Sequence, residues 1–200
     1  MAIMRHRILR SFTGPFVLIE MDDSSLRTSW LNREIAAVLK KSREDRGLLP
    51  ELAARLARYF DGEDVDFDDV PLARGGEFYR RCWRACRRIP RGQTRTYGQL
   101  AVLAGSPAAA RAAGQSMRHN PLPVIVPCHR VVGGSGSLHG FGGSLDAAGA
   151  ELCTKRLLLQ MEGALADEEA SLLPGLAHAG SRRGRSTLTP ARRTRTPAPA

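Results

Sequence analysis

"PVIVPCHRVVGG" spans residues 123–134. Four residues that are all apolar or β-branched open it, Pro127 follows, and Cys128 and His129 then stand side by side before the chain turns on Gly133 and Gly134. A short β-branched apolar run predicts a buried strand, which would deliver a thiol and an imidazole at its end. A cysteine is a nucleophile only as the thiolate, and near its reference pKa of about 8.5 only a few per cent is ionised at neutral pH. His129 and Arg130 are the neighbours able to raise that fraction. Adjacent side chains rarely meet directly, so a water between thiol and imidazole belongs to this reading. The competing reading is a buried structural cysteine and a surface histidine at a strand end. The pair alone does not separate the two.

Upstream, the chain is dense in helix punctuation. "EFYRRCWRACRR" places Phe78, Cys82, Ala85, Cys86 and Ile89 on one face, so Cys82 and Cys86 read as core thiols rather than a metal pair. No second pair with zinc-like spacing accompanies them. Thr96 and Gln99 fit a capping box. The helix they open should run to about Ala104, and Gly105 can take the left-handed conformation that ends it. Ser106 and Pro107 then predict the cap and first position of a second helix. Two helices joined by a Gly-Ser turn make a helix-turn-helix, or equally an ordinary helical hairpin. The second helix, "AAARAAGQS", is almost all small residues around Arg111. It buries little area, but it allows close approach to another backbone. A major-groove reader offers Arg, Asn or Gln to base edges; this helix suits shape-driven contact with a minor groove, with one arginine as a wedge.

Toward the N-terminus, "RHRILRSF", "PFVLIEM" and "LRTSWL" read as strands between turn signals. "LLPELAARLARYF" carries Leu49, Leu52, Leu56, Tyr59 and Phe60 at helical spacing. Six acids within residues 61–69 and glycines at 75 and 76 read as a linker that would face away from nucleic acid. The net charge of +10 favours a polyanionic partner, although six of those charges are arginines in residues 171–200. That last stretch is rich in Arg, Pro, Ala and Thr without periodicity, so it is expected to be disordered. Hydrophobic content of 42% is ordinary for a globular protein. No apolar run approaches the roughly 18 residues of a membrane span. The first residues break at Thr13, Gly14 and Pro15 and do not read as a signal peptide. A cytoplasmic location with four free thiols is therefore expected.

The stretch "RHNPLPVIVPCHRVVGGSGSLHGFGGSL", followed by "KRLLLQMEG", resembles the O6-alkylguanine-DNA alkyltransferases, whose active-site signature Pro-Cys-His-Arg-Val occurs here at residues 127–131. The resemblance reaches back through "GGEFYRRCWRACRRIPRGQTRTYGQLAVLAG" and covers about residues 75–163. It implies an α/β protein in two parts. A small N-terminal sheet-and-helix domain and linker would span residues 1–74. A helical C-terminal domain with the helix-turn-helix and reactive-cysteine loop would span residues 75–163. The basic tail would span residues 164–200.

What the resemblance implies for function is a single-turnover repair protein. Cys128 would take the alkyl group from O6-alkylguanine in DNA, with O4-alkylthymine as an alternative substrate, and keep it as a thioether. No cofactor and no metal are expected. His129 matches the family base, acting through a water, and Glu162 matches the glutamate that orients it. Asn120 matches the asparagine bracing the active-site turn, and Tyr97 the tyrosine that donates to the guanine as charge develops. The target lies inside the duplex, so the partner is double-stranded DNA, bound through the minor groove with the base rotated out. Arg111 would fill the gap, Ala110, Ala112 and Gly114 would approach the groove, and Arg118 joins the DNA-binding set. Met117, Val131, Leu138, Phe141 and Gly142 match pocket positions. A monomer that binds no membrane is expected. Ser144 departs from the family's glycine triplet, and about seven residues within "DAAGAELCT" stand as an insertion that includes Cys153. Residues 1–70 hold no Cys/His set for the structural zinc of some relatives. The rival functions are a helix-turn-helix protein that senses alkylated DNA without reacting, a transcription factor with an incidental thiol, and a papain-like thiol hydrolase.

Overall fold

A computed structural model describes residues 3–138 and 150–165. The N-terminal part is a four-stranded sheet built from β1 (Arg5–Leu9), β2 (Phe16–Glu20), β3 (Leu26–Trp30) and β4 (Arg43–Glu44), in the order β3-β2-β1-β4. β1 and β3 run antiparallel to β2, and β4 lies parallel to β1. Helix α1 (Arg33–Leu39) joins β3 to β4, and α2 (Pro50–Phe60) follows. β2 explains its own sequence: "FVLI" is buried at every position because both faces are covered. Val17 and Ile19 pack with Ile35 of α1, while Phe16 and Leu18 enter the main core with Leu52, Leu56 and Phe60 of α2. Phe16 meets Phe60 edge-on at 5.0 Å between ring centroids, a geometry aromatic quadrupoles favour. α1 and β4 were not anticipated from the sequence. Asn32 caps α1 by accepting from the Ile35 N–H at 2.8 Å.

The second part contains α3 (Glu77–Arg87), β5 (Arg95–Thr96), α4 (Tyr97–Leu103), α5 (Ala110–Arg118), β6 (Val131–Val132) and α6 (Ala150–Met161). The capping box forms: Thr96 Oγ1 accepts from the Gln99 N–H at 3.1 Å, and Gln99 Oε1 from the Thr96 N–H at 2.8 Å. Gly105 has φ +75° and ends the helix as expected.

Several expectations are corrected. Ser106 does not cap α5: residues 106–109 form a turn closed by Ala109 N–H to the Ser106 carbonyl at 2.9 Å, and the helix begins at Ala110. The acidic stretch is no loose linker. Arg55 pairs with Asp69, Arg58 pairs with Glu63, and the Arg91 guanidinium donates to the carbonyls of Gly62 and Glu63. Phe67 and Val70 from the same stretch are buried in the core. Finally, "PVIV" is not a strand. It is a buried turn in which Val126 N–H reaches back to the Leu122 carbonyl at 2.7 Å, with Val124 at φ +74°. Prolines at 121, 123 and 127 leave too few free N–H groups for a ladder there.

α6 is already helical at Ala150, so residues 150–154 of the suspected insertion are its first turns. Ser144, Phe141, Gly142 and the tail from residue 166 lie outside the described residues. One apolar cluster joins the two parts, running from Leu9 of β1 to Leu158 of α6 and including Cys82, Cys86 and Cys128. Among the described residues, no helix is long and apolar enough to cross a membrane.

Candidate active site

The buried turn ends in a single 3-10 turn, Cys128–Arg130, which carries the cysteine of interest. Asn120 organises the approach. Its Nδ2 donates to the Val126 carbonyl at 2.8 Å, and its Oδ1 accepts from the Leu122 N–H at 3.0 Å. Pro127 sits at φ −78° and ψ 64°, an inverse γ-turn closed by Cys128 N–H to the Val126 carbonyl at 2.8 Å. Cys128 is left 7% exposed. Burial pushes its thiol pKa up, and Asn120 and the Lys155 ammonium partly counter this. At rest it is a thiol, so it needs a base.

That base stands next to it. His129 is fully buried, and its Nε2 lies 2.9 Å from Glu162 Oε1. A carboxylate only accepts, so Nε2 carries the proton and Nδ1 keeps a lone pair. Nδ1 has no hydrogen-bond partner among the described residues. Glu162 is a hub: the Arg130 guanidinium donates to both its oxygens, from Nε at 2.8 Å and from its terminal nitrogen at 2.9 Å. The Tyr59 hydroxyl donates to Oε1 at 2.8 Å. Burial works against the Glu162 carboxylate, but the hydrogen bonds and charge of its partners win and hold its pKa well below the usual carboxylate range. Burial also pushes His129 below its ordinary value, so the imidazole is neutral. The same effect, reinforced by Glu162, drives Tyr59 well above its own. Alkyl transfer that uses neutral His129 should therefore hold its rate down to pH 6.5 and fall only below it. Stopped-flow rates with free O6-benzylguanine across that range check this; an acid limb centred above pH 6.5 would rule His129 out as the base.

Two more groups frame the thiol. Lys155 of α6 is buried, and its Nζ donates to the Val131 carbonyl at 2.7 Å. Burial lowers its pKa to about 8. Its ammonium lies 6.0 Å from the ring centre of Tyr97, whose pKa burial raises to about 12. Tyr97 is thus a donor at neutral pH. A Cβ at Gly114 of α5 would lie 3.8 Å from the Tyr97 ring, so the helix carrying Arg111 rests directly on that side chain. Arg111 and Arg118 are exposed, and Ala110 and Ala112 are half-buried. A groove of about 400 Å³ opens beside Cys128, lined among others by Met117, Arg118, Asn120 and Pro123 on one side and by Thr28, Trp30 and Ile35 on the other.

The structure thus brings Cys128, His129, Asn120 and Glu162 together, with Tyr97 reaching the same centre through Lys155. Val131 contributes a carbonyl that Lys155 already uses, and Leu138 is half-buried at the edge of the described residues, outside that groove. Sequence reasoning missed Tyr59 and Lys155 as site residues and Arg130 as the partner of Glu162. One signal was present for the lysine. Leu152, Lys155, Leu158 and Leu159 are the buried positions of α6 among the described side chains, so a cation interrupts an apolar stripe.

Comparison with known proteins bears on this arrangement. The ribonuclease-like domain of 6-O-methylguanine DNA methyltransferase matches residues 4–74, and the DNA binding domain of the same family matches residues 77–164. A methylated-DNA–protein-cysteine methyltransferase of Methanosarcina acetivorans is 35% identical over 161 residues, covering 80% of this chain and 99% of the relative. The chain belongs to the O6-methylguanine-DNA methyltransferase family. This methyltransferase repairs O6-methylguanine by moving the alkyl group to its own cysteine. The crystal structure of the Mycobacterium tuberculosis O6-methylguanine methyltransferase superposes with a TM-score of 0.69 at 37% identity, covering 85% of this chain and 99% of that one. The M. tuberculosis protein crystallised in complex with DNA gives a TM-score of 0.65 at 38% identity, covering 80% and 93%. The methyltransferase fold accounts for both parts of the chain, sheet domain and helical DNA-binding domain alike.

Proposed function

We propose that Cys128 is the acceptor thiol, with His129 as its base, Glu162, Arg130 and Tyr59 fixing that base, and Tyr97 assisting the leaving guanine. The observation that carries this reading is the His129–Glu162 contact at 2.9 Å, which fixes the proton on Nε2 and leaves Nδ1 basic. His129 Nδ1 takes the thiol proton through one water. The sulfur attacks the alkyl carbon, the S–C bond forms as the C–O6 bond breaks, and the electron pair returns to the guanine. The Tyr97 hydroxyl donates to that anion, and a proton from solvent restores neutral guanine. A thioether is a poor leaving group, so the protein is consumed. O4-alkylthymine presents a similar alkyl–oxygen bond and is the second substrate class.

The partner is double-stranded DNA, held at the minor groove by α5, in keeping with the M. tuberculosis relative crystallised with DNA. Ala110, Ala112 and Gly114 allow close approach, Arg111 occupies the space of the rotated base, and Arg118 neutralises phosphate. Met117, Val131, Leu138, Phe141 and Gly142 receive the base. Residues 75–163 form this reactive domain, residues 1–74 the sheet domain, and residues 164–200 a basic tail that adds phosphate contacts. The protein acts as a monomer. Four free cysteines suit a reducing, cytoplasmic setting.

Two measurements test the proposal. Mass spectrometry after incubation with excess O6-methylguanine duplex should find one methyl group per chain, on Cys128; turnover, or an adduct on Cys82, Cys86 or Cys153, contradicts it. Arg111→Ala should slow repair in duplex DNA at least tenfold while sparing attack on free O6-benzylguanine, because a flipping cost of a few kcal/mol applies only to the duplex. Equal losses on both substrates would place Arg111 in the pocket or the fold instead.

A further inference from the structure

β3 is an edge strand, and its open side is not left to solvent. Thr28, in the middle of β3, is 3% exposed and uses both of its donors outside the sheet. Its backbone N–H donates to the Pro121 carbonyl at 3.0 Å, and its Oγ1 donates to the Pro123 carbonyl at 2.8 Å. Both acceptors belong to the turn that leads into Cys128, 95 residues away in sequence for the hydroxyl bond. The second bond acts at a sensitive place. The Pro123 carbonyl shares its peptide plane with the N–H of Val124, and Val124 has φ +74°. That is left-handed territory, unfavourable for a β-branched residue, and it persists only where surrounding contacts over-determine it. The Thr28 hydroxyl bonds the carbonyl of this peptide in the observed orientation. Downstream of it, the Val126 carbonyl is held by Asn120 and in turn accepts from the Cys128 N–H.

We infer that Thr28 is a positioning residue for alkyl transfer: through its hydroxyl bond to Pro123, the edge of the N-terminal sheet holds the strained Pro123–Val124 peptide and thereby places the Cys128 thiol. The inference rests on the reading of Cys128 as acceptor. It gives the sheet domain a positioning part in the reaction, beyond completing the core. Thr28 touches neither base nor alkyl group in this account and acts through the turn.

The test uses the full chain with Thr28→Val, which keeps the β-branched shape and the backbone bond but removes the hydroxyl, and Thr28→Ser, which restores it. Two rates are read well below each variant's melting temperature: methyl transfer from O6-methylguanine duplex, and iodoacetamide labelling of Cys128 located by peptide mass spectrometry. Thr28→Val should slow transfer at least tenfold on duplex and on free O6-benzylguanine alike, leave duplex affinity within twofold, and shift the pH profile of Cys128 labelling. Thr28→Ser should return transfer to within threefold of the parent. Wild-type transfer rates in Thr28→Val, or equal loss in both variants, would overturn the inference. Should Thr28→Val fold poorly, Val124→Gly supplies a second test, because glycine takes positive φ without cost. In that background the double variant with Thr28→Val should fold and transfer within threefold of Val124→Gly alone, and a loss of tenfold or more against Val124→Gly, or a double variant that also fails to fold, counts against the coupling. Labelling does not require Cys128 to be the acceptor. A methyl adduct on another cysteine would therefore overturn the acceptor assignment, while unchanged labelling and transfer overturn the role of Thr28.

Discussion

Cys128→Ser protein is expected to bind alkylated duplex and to transfer nothing. The thiol is already hard to ionise, because burial raises its pKa and only Asn120, Lys155 and nearby N–H groups oppose that. A hydroxyl in the same place is far less acidic still, so its ionised fraction at neutral pH is negligible and it is a much poorer nucleophile toward an alkyl carbon. Neither core thiol substitutes. Cys82 and Cys86 are enclosed in the core, and burial pushes both pKa values up. Gel-shift affinity should therefore stay near that of the parent protein while intact-mass spectra show no alkylated chain. An adduct on any residue of the serine variant would mean that the acceptor has been misassigned.

Glu162→Ala should damage stability and reactivity together. The Glu162 side chain is fully enclosed, and its loss strands His129, the Arg130 guanidinium and the Tyr59 hydroxyl without their shared acceptor. Breaking a buried pair from one side costs about 3–5 kcal/mol, which for a chain of this size lowers Tm by roughly 6–20 °C. The imidazole also loses the partner that fixes its tautomer, so transfer should slow by about 10²–10⁴-fold, the usual worth of a positioned base. Glu162→Gln keeps one acceptor oxygen and should lose less of both. The carboxylate is held below its ordinary pKa, so the stability it contributes is present above the usual carboxylate range and is lost as pH falls through the depressed value. Acid unfolding of the parent should therefore be steeper than that of Glu162→Gln; identical acid transitions would show that the hub contributes nothing to stability.

Local signals in the chain translated well where one residue type does one job. The Thr96–Gln99 box, Gly105 and the apolar stripe ending at Tyr59 and Phe60 each occur as their chemistry dictates. The apolar run before Cys128 did not. Its composition resembles a strand, but the prolines around it deny it a ladder, and its burial comes from the β3 edge and the main core rather than from sheet neighbours. The pairing of His129 with Glu162 spans 33 positions. It was suggested by family resemblance, since no spacing rule links a turn to the end of a distant helix. The insertion ahead of α6 lies between His129 and Glu162 in the chain. The helix absorbs part of it from Ala150 onward, and Glu162 follows its last turn in contact with His129. Tyr59 belongs to an apolar helical stripe and packs in the core, and a stripe carries no signal for the bond its hydroxyl makes to Glu162.

The apolar cluster that runs from β1 to α6 has a bearing on how the chain matures. It extends from β1 to α6, so loop closure over nearly the whole described length precedes its completion. Unfolding should accordingly be one cooperative event instead of two. During synthesis the sheet emerges first, yet the core to which Phe16 and Leu18 belong is complete only after α3, α4 and α6 have left the ribosome. A nascent chain stopped before α6 carries Cys128 but neither Lys155 nor Glu162, so its His129 lacks the carboxylate that fixes its proton.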